Sequence, residues 1–125
     1  MKQEEKELLL KDLSTRLPYH VRCKIWLKDG PTEEGVLDLE HNYGDVLRDA
    51  FYYNEIIDIK PYLRPMSSMT EEEKKEYKHL VAFSGSPTGS AKFVDWLNAH
   101  HFDYRGLIPM GLAIEVTKEN NPYEE

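Results

Sequence analysis

The stretch FVDWLNAHHFDYRGLIPMGLAIEV, Phe93 to Val116, decides how the chain folds. It opens in a helix predicted from Ala91 to His101. Phe93, Val94, Leu97 and His101 fall on one face of that helix at the 3.6-residue period. Trp96 and His100 stand one turn apart and meet along its flank. Ser90 is the expected N-cap, its hydroxyl accepting from a helical N–H. Asp103 caps a short turn over Tyr104–Ile108 in the same way, and Pro109, which lacks an N–H, stops it. Gly111 permits a sharp reversal. Leu112, Ile114 and Val116 then alternate with Ala113, Glu115 and Thr117, which predicts a strand over 112–116. A helix, a turn, a reversal and a strand in close succession are the makings of a unit that closes a core.

Working outward, residues 3–16 read as a first helix, with Leu9, Leu10, Leu13 and Leu17 on one stripe and Glu4, Glu5 and Lys6 towards solvent. Pro18 ends it. Tyr19 to Lys28 alternates strictly. Tyr19, Val21, Cys23, Ile25 and Leu27 point one way and His20, Arg22, Lys24, Trp26 and Lys28 the other, as in a strand with one buried face. Asp29-Gly30-Pro31 is turn chemistry, and Gly35 to Glu40 returns as a second strand with Leu37 and Leu39 inward. His41 to Asp45 is a further turn, Val46 to Ala50 a weak strand candidate, and Glu55 to Lys60 a better one. Pro61 and Pro65 bracket Tyr62-Leu63-Arg64, which the reading takes out of the sheet in extended form. Thr70 and Glu73 make a capping box that opens a helix over 71–83 with an apolar stripe of Tyr77, Leu80 and Val81. Ser84 to Gly89 reads as a loop and 117–125 as a loosely held polar tail. The expectation is a single α+β domain over residues 1–125. A small antiparallel sheet over residues 19–60, curled or partly barrel-like, packs against about three helices, and the 112–116 strand joins or borders it.

Composition narrows the function classes. The chain has 125 residues, 40% hydrophobic and 31% charged, which fits one globular domain. Sixteen Lys and Arg against 23 Asp and Glu leave a net charge of -7, unfavourable for wrapping bare phosphate backbone. A single cysteine, Cys23, excludes an internal disulfide and a Cys-rich zinc site, and its place on the apolar side of the first strand predicts a buried thiol. The start, MKQEEKELLLKDL, carries acids where a secretory leader carries bases, and its apolar run is too short for a membrane span. A cytoplasmic protein without a membrane partner is expected.

Several phrases stand together in this chain: Leu17-Pro18-Tyr19, the run Lys60 to Pro65 followed by Ser67-Ser68-Met69-Thr70-Glu71-Glu72, then Asp95-Trp96-Leu97-Asn98, His100 to Ile108, and Gly111 to Glu115. Taken jointly, this set resembles a family of short uncharacterised proteins encoded by gut Bacteroidales bacteria and their phages and prophages. The resemblance spans Leu17 to Glu115. The family has no assigned activity, so it implies a bacterial or phage cytoplasm and an accessory role, and no catalytic residue. Pro109-Met110 departs from it, since relatives are more polar there.

Four constellations carry chemistry. His100, His101 and Asp103 offer metal-ligand types, but adjacent helical residues diverge by about 100° and no His-Glu-x-x-His spacing occurs. His101 is better read as a core residue with a backbone partner. His100, Asp103, Tyr104 and Arg105 form a polar cluster with acid–base types, against which stands a reading of caps and pairs, Arg105 pairing with a carboxylate such as Glu115. Arg22, Lys24, Trp26 and Lys28, with His20, interleave cations with an aromatic on one strand face, as single-stranded nucleic acid would use. Glu4, Glu7 and Asp12 of the first helix are acids that can neutralise those cations. Tyr62 and Arg64 are types that anchor protein interfaces or staple a sheet to a helix. No catalytic set, phosphate loop or nucleophile elbow emerges, and no cofactor or metal is expected. The leading expectation is a non-enzymatic accessory protein acting through a protein partner or self-association. A nucleic-acid module using Arg22, Lys24, Trp26 and Lys28 comes second, and a small enzyme or metal protein around His100, Asp103 and Arg105 third.

Overall fold

The computed structural model describes residues 3–27, 32–37, 56–83, 85 and 87–123. Helix α1 (Gln3–Arg16) has Glu4 and Glu5 in its first turn, where acids suit the helix dipole. Leu9 and Leu13 are fully buried on it, as their spacing demands, but so are Asp12 and Arg16 on the same stripe. A 3-10 turn (Leu17–Tyr19) follows, and His20 adopts a left-handed backbone with φ 56°. Strand β1 (Val21–Leu27) therefore starts two residues later than Tyr19, because the Pro18 turn and the His20 reversal use the intervening backbone. From there the alternation holds. Val21, Cys23 and Ile25 are buried, Arg22 is exposed, and Lys24 and Trp26 are half-buried.

β2 (Thr32–Leu37) pairs antiparallel with β1, earlier in the sequence than the expected 35–40 segment. β3 (Ile56–Leu63) pairs antiparallel with the other side of β1, and β4 (Ile114–Glu115) adds a short parallel strand to β3. The order β2-β1-β3-β4 is an open sheet, so the barrel-like curl is not formed. The expected strand at Val46–Ala50 and the turns at Asp29–Pro31 and His41–Asp45 lie outside the described residues. Leu9 and Leu13 meet Val21, Cys23, Ile25, Ile59, Leu63, Leu107, Leu112 and Ala113 in one core, with the 107–113 turn lying against the sheet and α1. The α+β class and a small sheet packed against three helices among the described residues are thus as the sequence predicts, while the parallel β4 makes the sheet mixed rather than wholly antiparallel.

Pro61 does not end β3. It stands opposite Cys23 in register and is fully buried. The Arg22 N–H and Tyr62 C=O face each other across the ladder, so Cys23 and Pro61 form a non-hydrogen-bonded pair. Proline's missing N–H then falls on the side away from β1, before β4 begins at Tyr62. The Tyr123 hydroxyl is spliced into that ladder: it accepts from the Arg22 N–H at 3.0 Å and donates to the Tyr62 C=O at 2.7 Å. Its ring stacks on His101 with centroids 3.8 Å apart and planes at 9°. The loosely held tail expected over 117–125 is therefore corrected at Tyr123. Tyr123→Phe should lower the unfolding free energy by about 1–3 kcal/mol, the cost of two backbone groups left without a partner. Urea denaturation checks this, and an unchanged midpoint would mean that the ladder closes directly.

α2 (Glu71–Phe83) opens on the capping box, with the Thr70 N–H on Glu73 Oε1 at 2.8 Å and the Glu73 N–H on Thr70 Oγ1 at 3.2 Å. Val81, expected on the apolar stripe, is 45% exposed. α3 (Pro87–Ala99) begins one turn earlier than Ala91, since proline suits the first helical position; Ser90 is inside the helix rather than its cap. An aromatic column ties this helical hairpin to the core. Tyr77 meets Phe93 at 5.6 Å and Trp96 at 6.3 Å, and Trp96 stacks on the fully buried Phe102 at 5.5 Å.

Candidate functional site

The structure brings His100, Asp103, Tyr104 and Arg105 together at the end of α3, and each is engaged in holding the fold. Asp103 accepts the Leu107 and Ile108 N–H groups, both at 2.9 Å, so it caps the turn as its type predicts. The Tyr104 hydroxyl donates to Asn98 Oδ1 at 2.9 Å. Arg105 pairs not with Glu115 but with Asp12, Nε to Oδ1 at 3.2 Å. Asp12 also receives Arg16 at 2.7 Å, and both side chains of that pair are fully buried. Asp12 is therefore no part of the solvent face of α1. The Arg16 guanidinium reaches on to the Phe102 carbonyl at 2.7 Å, joining α1 to the end of α3. His100 donates from Nδ1 to the Trp96 carbonyl at 2.9 Å, which leaves Nε2 facing Glu73 Oε2 at 3.9 Å. His101 is turned away by its left-handed backbone, φ 61°, and its Nδ1 is buried without a hydrogen-bond partner, not held by backbone as expected. Among the described residues no three His, Cys, Asp or Glu side chains converge as a metal requires. Burial pushes the Cys23 thiol up, away from the reactive thiolate.

Tyr62 and Arg64 also serve the fold. Tyr62 is buried at 3% exposure and is no surface anchor. Arg64 makes a bidentate pair with Glu73, at 2.7 and 2.8 Å, and lies over the Phe102 ring at 4.3 Å. That guanidinium holds the Glu73 carboxyl down to about 2. It staples β3 to the first turn of α2.

Burial lowers the His101 imidazole to about 4, helped by the nearby charges of Arg16, His100, Arg64 and His20. A histidine held neutral in the fold stabilises it fully above its unfolded value of about 6.5, and that contribution drains away as pH falls towards 4. Glu73 follows with the same sign, losing its contribution between about 4.3 and about 2. Denaturant midpoints should therefore fall in two stages on acidification. His101→Asn, which suits the left-handed backbone and does not titrate, should remove the first stage; its persistence in the variant would assign it elsewhere.

The sheet face is the remaining candidate. Trp26 sits beneath two ammonium groups, Lys24 Nζ at 5.7 Å and Lys60 Nζ at 5.6 Å from its ring centroid. Lys24 and Lys60 are direct cross-strand partners, and on its other side Lys24 pairs in register with Glu34 of β2. Arg22 is exposed two residues along the same strand. Lys28 lies outside the described residues, and His20 precedes the strand. Lys60 was missed from sequence, because strand alternation gives its face but only the pairing register sets it opposite Lys24. Among the described residues no helix is long and apolar enough to cross a membrane. No protein-family model matches the chain, and neither a curated protein nor a solved structure matches it at a significant level.

Proposed function

We propose that this protein is a non-enzymatic binding module for a protein partner, and that Arg22, Lys24, Trp26 and Lys60 form its contact face. The observation that carries the reading is the pairing of like charges, Lys24 and Lys60, directly across the ladder beside Trp26. Like charges in that position are unfavourable to a sheet, and the fold's own core makes no use of them. Tryptophan and arginine are the types that anchor protein interfaces. The whole chain carries -7, and a short cationic face on such a body suits a protein better than a continuous run of phosphates. A bacterial or phage cytoplasm and an accessory role are part of the proposal, resting on the family resemblance. The polar cluster at His100–Arg105 supports no acid–base reading, since its groups already serve as caps and pairs.

A second reading, single-stranded nucleic acid, is favoured by the two ammonium groups that lie over the indole. Fluorescence titration with short single-stranded DNA and RNA separates the two. The protein reading expects no saturable quenching even at low salt, where electrostatic binding is strongest. It also expects a partner retained by the wild-type protein as bait and lost from both Lys24→Glu and Lys60→Glu. Self-association through the same face would appear as a dimer in sedimentation that the same variants abolish. Salt-sensitive quenching that disappears in Trp26→Phe would replace the first reading with the second.

A further inference from the structure

A groove of about 760 Å³ lies away from the sheet face, between the start of α2, the end of α3 and the 116–123 segment. That volume is in the range of small-molecule sites. Arg64 and Glu73 line it, but their bidentate pair cancels both charges. What remains is the Lys118 ammonium, with no carboxylate partner among the described residues, flanked by Thr117 and the Asn121 amide. The stacked rings of His101 and Tyr123 make an aromatic wall, and Ala99 is small and exposed on another side. His100 also lines the groove, its Nδ1–H donating to the Trp96 carbonyl and its Nε2 3.9 Å from Glu73 Oε2. In a molecule of net charge -7, a groove whose only uncancelled full charge among the described residues is a cation favours an anion. Apolar and aromatic walls with a few polar groups favour a flat ring.

We propose that this groove binds a small organic anion carrying a flat ring, an aryl carboxylate or a nucleoside monophosphate. Lys118 takes the anionic group, Thr117 and Asn121 supply neutral hydrogen bonds, and the ring lies along the His101–Tyr123 wall. The site is independent of the sheet face, and its occupancy does not require a protein partner.

The test is a titration of the full chain, followed by amide chemical shifts, with benzoate and with adenosine monophosphate in separate arms. Inorganic phosphate and adenosine serve as probes of charge and ring alone. Saturable shifts at Ala99, Thr117 and Lys118 are expected with at least one of the two complete ligands, which also identifies the source of the anion. Phosphate and adenosine should bind at least about tenfold more weakly, the worth of one charge-assisted contact. Lys118→Glu removes the cation, and Ala99→Trp fills the groove without a charge change. Both should abolish the shifts, whereas Lys24→Glu on the sheet face should leave them intact. Absence of saturable shifts with both complete ligands, or wild-type binding by either groove variant, would overturn the proposal.

Discussion

Asp12→Ala should destabilise the fold by about 3–5 kcal/mol, the cost of stranding a buried cation. Asp12 holds Arg16 at 2.7 and 3.1 Å and Arg105 at 3.2 Å. Arg16 is fully buried, its Nη1 already lacks a hydrogen-bond partner, and no other carboxylate among the described residues pairs with it to take over from Asp12. Without the carboxylate, the guanidinium keeps the Phe102 carbonyl alone among these partners. Against a typical total of about 5–15 kcal/mol, that loss should be plain in a urea titration. Replacing both members, Asp12→Leu with Arg16→Met, should recover most of it, because an apolar pair needs no compensating charge. A single variant costing under about 1 kcal/mol would show that water reaches Arg16 and that the pair is not a buried one.

Phe102→Ala should cost a similar amount, about 3–5 kcal/mol for a large buried aromatic. The ring is fully buried, stacks on Trp96 at 5.5 Å and on His100 at 6.1 Å, and carries Arg64 on its face. It is the joint between the core and the α2–α3 hairpin, and α2 has no buried residue of its own. The loss should therefore be uneven. Amide hydrogen exchange should rise first in α2 and α3 and last in β1 and β3. Uniform exchange across the chain would place the hairpin inside one cooperative unit with the sheet instead.

The fold class was legible because α1 and β1 carry clean periodic patterns and because Thr70 and Glu73 announce a helix by chemistry that needs no tertiary help. Asp103 was legible for the same reason: its partners lie four and five residues away. What escaped the reading depends on distant chain. The i, i+4 spacing of Asp12 and Arg16 allows their pairing, but nothing local marks the pair as buried, which depends on Phe102 and Arg105. Arg64 was legible as a staple from sheet to helix, but not its partner Glu73. Pro61 looked like a strand end because its harmless side is fixed only by the pairing with Cys23. Tyr123 sat in a polar, acidic tail whose composition argued for looseness. Lys60 joined the candidate face only when register set it across from Lys24.

The long reach of these contacts bears on how the chain folds as it is made. A ribosome adds residues in order, yet the Arg22 amide is completed by a hydroxyl 101 residues later, and Arg16 and Asp12 wait 86 and 93 residues for the Phe102 carbonyl and Arg105. A nascent chain that has emerged through α2 holds β1, β2 and β3 but not the groups that close them. Closure of this sheet and of the buried ion pair therefore waits until the Phe102–Tyr123 segment has been made.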